Sequence, residues 1–101
     1  MQTAEPIATG TYVVSQKGRD RGRVYLVWRV EPPFLYVADG VYRSAGNPKK
    51  KRATHVRRWQ SGLAPADLAS LQDDVPAEQD RRIRSLIAEA YAEVKREVTD
   101  V

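Results

Sequence analysis

The chain has 101 residues and no cysteine, which leaves room for one domain and excludes disulfide bridges and thiolate zinc sites. No apolar run approaches the roughly 20 residues that a membrane-spanning helix needs. Residues 1–10 also lack the charged and apolar regions of a signal peptide. We therefore expect a cytoplasmic protein that does not insert into a membrane.

The net charge of +4 is unevenly distributed along the chain. Residues 1–62 carry 12 Lys and Arg against 4 Asp and Glu, a balance of +8, whereas residues 63–101 carry 5 against 9, a balance of −4. A segment with this excess of positive charge attracts polyanions and releases their counterions on binding. Nucleic acid is therefore the leading candidate partner, ahead of an anionic membrane surface.

Strands are predicted over most of residues 11–59, where β-branched and aromatic residues alternate with polar ones. Turns are expected where glycine or proline interrupts this pattern: in the polar stretch 17–22, at Pro32-Pro33 and at the hairpin signal Asp39-Gly40. Residues 44–51 are expected to form a loop. The five predicted strands are residues 11–16, 23–31, 34–38, 41–43 and 52–59. Five short strands of this kind predict a small barrel.

Strand alternation assigns the aromatic residues of this region either to the core face or to the opposite face of the sheet. One face of the central strand is expected to hold Trp28 in the core, beside Val24, Leu26 and Val30. Tyr25 falls on the opposite face and, with Tyr42 and Trp59, is a candidate for stacking on unpaired bases. Trp59 is equally consistent with a place in the core. The two remaining tyrosines, Tyr12 and Tyr36, are expected in the core or at its rim.

After Gly62 the apolar spacing changes from two residues to nearly four, which predicts a helical tail. Pro65 favours a short helix to about Leu71, and Pro76 favours a longer one to about Val98. The longer helix has one apolar stripe, formed by Ile83, Leu86, Ile87, Ala90, Tyr91, Val94 and Val98. Burying each large residue contributes about 1.5 to 3 kcal/mol. We expect the stripe to pack on the chain's own barrel, with a partner or a second copy as the alternative.

Residues 10–30 resemble the KOW motif of ribosomal proteins and certain transcription elongation factors. They contain Gly-x-x-Val-Val followed by Lys17-Gly18-Arg19-Asp20-Arg21-Gly22-Arg23-Val24. Further along, Asp39-Gly40, Pro48-Lys49-Lys50-Lys51-Arg52 and His55-Val56 resemble the short bacterial KOW-domain RNA-binding proteins. Val24 and Tyr25 stand where the longer KOW form has a further glycine, so the ribosomal variant is the better match.

The KOW resemblance covers about residues 8–59 and implies an SH3-like barrel that binds RNA. The expected fold is therefore mainly β with C-terminal helices. It consists of a small SH3-like (KOW) β-barrel at residues 8–60 and an amphipathic helical tail at residues 63–101.

Two basic segments are the candidate RNA contacts. In the turn 17–23, Gly18 and Gly22 permit positive φ and a close approach of the backbone to phosphate, and the single acid Asp20 leaves the cations mostly unpaired. The run 49–52 is expected to be a surface loop that tolerates reversal of its charge. The predicted RNA-binding residues are Lys17, Arg19, Arg21, Arg23, Arg43, Lys49, Lys50, Lys51, Arg52, His55, Arg57, Arg58 and Trp59. The predicted structural turn residues are Gly18, Gly22, Asp39 and Gly40.

No catalytic residue, metal ligand or cofactor is predicted. The sequence has no phosphate-binding glycine loop ending in Lys-Ser or Lys-Thr, no His-Glu-x-x-His, and a single histidine, His55. The acids at residues 73–80 surround a helix start, where the helix dipole favours negative charge. An enzyme is therefore not expected.

The predicted function is binding of ribosomal or other structured RNA through the basic loops of a KOW barrel, in association with the ribosome or with translation. Ribosomal proteins are further candidate partners, and the tail helix allows a monomer or a weak homodimer. The alternative is a protein-interaction adaptor that docks on the transcription or translation machinery. Steep weakening of binding by salt favours the first, because phosphate contacts release counterions and an apolar interface does not.

Overall fold

The computed structural model describes residues 6–99, with side chains described as far as Lys95. The strands in this part of the chain are β1 (Tyr12–Ser15), β2 (Val24–Glu31), β3 (Phe34–Ala38), β4 (Lys49–Arg52) and β5 (Val56–Gln60). One turn of 3₁₀ helix, Ala53–His55, joins β4 to β5. Two helices follow, α1 (Pro65–Gln72) and α2 (Pro76–Thr99), as the sequence predicts.

The strands form one antiparallel sheet in the order β4-β3-β2-β1-β5. Strands β1 to β4 are sequential neighbours, and β5 returns to pair with β1 at the opposite edge. The two predicted helices and the count of five strands are confirmed, but one of the strands lies elsewhere in the chain than predicted. No helix in the described part of the chain combines the length and apolarity needed to cross a membrane.

The predicted strand at residues 41–43 is wrong. These residues form a turn around Asp39, whose Oδ1 accepts hydrogen bonds from the backbone N–H groups of residues 41, 42 and 43 at 2.9 to 3.0 Å. The side chain thus satisfies amides that a strand would pair with its neighbour. The fourth strand is instead the basic run of β4, which was expected to be a loop. The last strand also begins later than predicted, because Ala53–His55 is helical.

An irregularity in β2 changes which face its later residues occupy. The register with β3 shifts between Val27 and Arg29. Such a bulge adds one residue and reverses the alternation beyond it. Trp28 therefore packs on the same side as Leu26, whereas Val30 packs on the opposite side. The single face predicted for Val24 through Val30 holds only as far as Trp28.

The sheet is buried on both faces in its middle. On one face, residues of β1, β2 and β3 pack against the helices; the cluster contains Tyr12, Leu26, Ala38, Ala45, Leu71, Ile83 and Ala90. On the other face, the strands form a second cluster on their own; it contains Val13, Tyr25, Val27, Leu35, Val37 and Val56. We call the first the helix side and the second the inner side of the sheet.

Helix α2 packs against its own sheet through part of the predicted stripe, in agreement with self-packing, while Tyr91 of the stripe is 46% exposed. Ile83 is fully buried and Ala90 nearly so, and the partly buried Leu86 and Ile87 pack beside them. The Val98 side chain lies outside the described part of the chain. Gly40, with φ of +78°, lies so close to α2 that a Cβ there would overlap the helix backbone. The connection from β3 to β4 is therefore held directly against the helix.

Candidate nucleic-acid interface

A buried carboxylate links the two basic segments of the sequence. Asp20, in the turn between β1 and β2, is only 3% exposed. Its oxygens accept hydrogen bonds from Ser15 Oγ at 2.8 Å, Tyr25 Oη at 2.7 Å, Lys49 Nζ at 3.0 Å and Lys51 Nζ at 2.9 Å. We call these five residues the Asp20 cluster. Every hydrogen-bonding atom of the carboxylate is therefore occupied within the protein.

The cluster forms because alternate residues of β4 point to opposite sides of the sheet. Lys49 is paired with Val37 and Lys51 with Leu35, both on the inner side. Lys51 Nζ also donates a 2.9 Å hydrogen bond to the carbonyl of Lys17. Gly18, with φ of +96°, brings the turn backbone close to this ammonium. The turn 17–23 is thus bonded to the inner side of β4.

The Asp20 cluster fixes the ionisation of its acidic groups. Burial raises the pKa of Asp20, but hydrogen bonds from Tyr25, Lys51, Ser15 and Lys49 lower that pKa by more, and the net shift is well below the usual range. Burial, together with the hydrogen bond to Asp20, raises the pKa of Tyr25 to about 12. The carboxylate is therefore ionised and the phenol neutral at physiological pH. Two ammonium groups against one carboxylate leave the cluster with a net positive charge.

Membership of the cluster limits how far three residues that were predicted to contact RNA are available to do so. Lys51 is 7% exposed and its ammonium is used inside the protein, so it does not present a free cation to a ligand. Lys49 is partly exposed but also bonded to Asp20. Tyr25 is fully buried and is not available for stacking on a base. The inward direction of the two lysines was not predicted because residues 44–51 were assigned to a loop, where no alternation separates inward from outward lysines. Tyr25 was placed on an open face because only one face of its strand was expected to be buried, whereas the sheet is buried on both.

The other two residues of β4 belong to an exposed surface on the helix side of the sheet. Lys50 is paired with Tyr36 and Arg52 with Phe34. Lys50 Nζ lies 4.2 Å from the centroid of the Phe34 ring, and Arg52 Cζ lies 5.3 Å from it. Arg29 Cζ lies 4.1 Å from the centroid of the Tyr36 ring. We call these five residues, three cations and two aromatic rings, the basic-aromatic face.

The aromatic part of this face was not predicted from the sequence. Phe34 was not selected, Tyr36 was assigned to the core or its rim, and Arg29 was not considered as a contact. The signal was present in β3, where Phe34 and Tyr36 alternate with the buried Leu35 and Val37. Pairing β3 with the basic run, rather than with residues 41–43, would have placed the cations beside the rings.

The turn between β1 and β2 presents the exposed cations that the sequence predicts. Lys17, Arg19 and Arg21 are exposed and have no carboxylate partner among the described side chains. Asp20 does not neutralise them, because it points inward to the lysines of β4. Arg23 is half-buried, and its guanidinium lies 3.7 Å from the centroid of the exposed Tyr42 ring.

The remaining predicted contacts lie on other segments of the chain. Arg43 is half-buried in the turn around Asp39, where its carbonyl accepts hydrogen bonds from the amides of residues 39 and 40. His55 is half-buried in the 3₁₀ turn. Arg57 and Arg58 are exposed on β5, and both line an open groove of about 630 Å³.

The Trp59 ring packs against the helical part of the chain. Its ring centroid lies 4.9 Å from that of Tyr91 on α2 and 6.4 Å from that of Tyr12 on β1. It is partly buried against the helix-side core. The position therefore agrees with the core alternative for Trp59, and the ring faces protein rather than open solvent.

Comparison with known proteins adds no family assignment to this geometry. No protein-family model matches the chain, and no curated protein matches its sequence. The KOW resemblance therefore stays a prediction from the motif residues.

Proposed function

We propose that this protein binds structured RNA through phosphate contacts made by the turn 17–23 and the outward residues of β4, and that it acts in association with translation. The finer description of the fold as an SH3-like barrel of the KOW type belongs to the same proposal. Its support is the resemblance of residues 10–30 together with the strand order and the basic turn. The RNA is expected to be recognised more through its backbone than through base identity.

The observation that carries the proposal is the placement of the acidic residues. Of the four acids in residues 1–62, Asp20 and Asp39 are buried, and Glu31 pairs with Arg29 at 2.8 Å. Glu5 lies outside the described residues. The exposed cations of the turn and of β4 are consequently left without neutralising neighbours among the described side chains. Such a surface attracts phosphate groups and gains free energy from counterion release.

The adaptor alternative has less support. Its natural docking surface is the apolar stripe of α2, and that stripe packs against the chain's own sheet through Ile83, Leu86 and Ile87. Docking through it would require α2 to leave the core.

Binding of an RNA hairpin measured at graded salt tests the proposal. The variant Arg19→Gln/Arg21→Gln removes two exposed charges from the turn, and Arg81→Gln/Lys95→Gln removes two exposed charges from α2 as a matched control. We expect wild-type affinity to fall steeply with salt. The slope of log affinity against log salt should decrease by roughly 0.9 per lost phosphate contact in the turn variant and stay unchanged in the control. Absence of binding at low salt, or equal slopes for both variants, would overturn the proposal.

A further inference from the structure

The basic-aromatic face has an arrangement that phosphate binding alone does not require. Phe34 and Tyr36 lie two residues apart on β3, so their side chains project from the same side of the sheet. Ala38, the next residue on that side, is fully buried beneath the helices. Phe34 and Tyr36 are only half-buried and lie outside the helix-packed cluster. The helices therefore cover one end of this side and leave the two rings uncovered.

The neighbours of the two rings are cations rather than apolar side chains. Lys50 and Arg52 lie over Phe34, and Arg29 lies over Tyr36. Lys50, Arg52 and Arg29 are themselves exposed. A surface that alternates aromatic rings with mobile positive side chains has the composition that single-stranded nucleic acids require: rings for the bases and cations for the phosphates.

We propose that the basic-aromatic face binds unpaired nucleotides by stacking bases on Phe34 and Tyr36. This inference rests on the proposed RNA-binding function and names the class of RNA: a structured stem with adjacent unpaired nucleotides. The stem contacts the cations of the turn 17–23, and the unpaired segment crosses the outward side of β4. Both contacts meet at β4, whose inner lysines hold the turn and whose outer Lys50 and Arg52 border the rings.

A base can displace the cations that now lie over the rings. An exposed cation-π contact corresponds to about 2- to 5-fold in an equilibrium constant, whereas stacking of one base on an aromatic side chain corresponds to about 5- to 150-fold. Lys50 and Arg52 are exposed and have no carboxylate partner among the described side chains, so each can leave the Phe34 ring and approach the phosphate next to the stacked base. Arg29 is paired with Glu31 at 2.8 Å, so its exchange must also break that ion pair. Replacement of a cation by a stacked base on each ring therefore favours binding of the RNA.

Two RNA probes separate this inference from the proposed function. The first is a blunt hairpin, and the second is the same hairpin with a single-stranded uridine extension. Phe34→Leu/Tyr36→Leu removes both rings. Val75→Ala is the control, because Val75 is an exposed apolar side chain just before α2 and belongs neither to the face nor to the turn 17–23. We expect the double variant to weaken binding of the extended hairpin at least about 5-fold, while its binding of the blunt hairpin changes less than about 2-fold. Val75→Ala should leave the binding of both probes unchanged.

Other results would overturn the inference in distinguishable ways. If both probes bind the wild-type protein equally and ring removal has no effect, the stacking surface is wrong while RNA binding stands. If the double variant binds both probes more weakly by the same factor, the rings make a general contact with RNA rather than stacking on unpaired bases. Displacement of the extended probe by poly-glutamate as readily as by poly-uridine would favour an acidic protein partner. If neither probe binds at low salt, the proposed function itself fails.

A second measurement does not depend on the folding of the double variant. Ultraviolet crosslinking of the wild-type protein to the extended hairpin, followed by mass spectrometry, should place the crosslink on the peptide that contains Phe34 and Tyr36. Tyr36→Phe keeps the ring and should retain binding of the extended probe. Crosslinks confined to the turn 17–23 would overturn the inference.

Discussion

Lys51 donates a 2.9 Å hydrogen bond to the carboxylate of Asp20, which lies 31 positions earlier in the chain, and both side chains are buried. This contact joins the turn between β1 and β2 to the edge strand β4. The exposed cations of the turn therefore lie on a segment that this hydrogen bond holds in place. A pre-ordered set of cations loses less conformational entropy when phosphate binds than a flexible basic loop would.

The first prediction compares two adjacent lysines of β4 that lose the same charge. Lys51→Gln leaves the buried Asp20 with one ammonium instead of two, and we expect it to lower the free energy of unfolding by about 2 to 3 kcal/mol. Lys50→Gln removes an exposed cation from the Phe34 ring, so the expected loss is at most about 0.5 to 1 kcal/mol. Urea unfolding of both variants at neutral pH measures the difference. Equal stabilities would show that the buried contact contributes nothing.

The second prediction concerns how the stability that Asp20 contributes changes as the pH is lowered. Because the folded-state pKa of Asp20 lies below its ordinary value of 3.8, its contribution to stability is fully present above that value and is lost as pH falls through the folded-state pKa. Asp20→Asn lacks this contribution. We expect the wild-type protein to exceed Asp20→Asn by a constant margin above about pH 5, and the margin to shrink at lower pH.

Urea unfolding across a pH series checks this expectation, with Asp67→Asn as the control. Asp67 is an exposed acid in the first turn of α1. Its replacement should change stability little at any pH. A margin between wild type and Asp20→Asn that stays constant down to about pH 2 would contradict the role assigned to the carboxylate.

Most of the secondary structure could be predicted from the sequence because local pattern specifies it. Strand β2 is rich in β-branched and aromatic residues, β3 alternates, and the helices begin at Pro65 and Pro76. Strand β4 could not be found in this way, because Lys49–Arg52 is uniformly basic and has no apolar period. Its identity depends on pairing with β3 and on Asp20, which are contacts distant in sequence.

The candidate site was predictable only in part for the same reason. The exposed cations of the turn follow from composition and from the polar stretch that contains them. Which lysine of β4 points inward depends on register, and register depends on the neighbouring strand. The bulge in β2 likewise moved Val30 to the other side without any residue that marks it in the sequence. The basic-aromatic face could therefore be recognised only from the folded sheet.

The last prediction tests whether α2 belongs to the core of a single chain. Ile83 is fully buried between α2 and the sheet, whereas Val75, just before α2, is 59% exposed. Ile83→Ala should lower the free energy of unfolding by about 2 to 5 kcal/mol, since it removes methyl groups from a packed site and leaves a cavity. Val75→Ala should cost no more than about 0.5 kcal/mol. Thermal unfolding at several protein concentrations distinguishes the two possible packing arrangements. Packing within one chain requires the same Tm at each concentration for wild type and for both variants. A Tm that rises with concentration would show that a second copy contributes to the interface, because association stabilises the folded state by mass action.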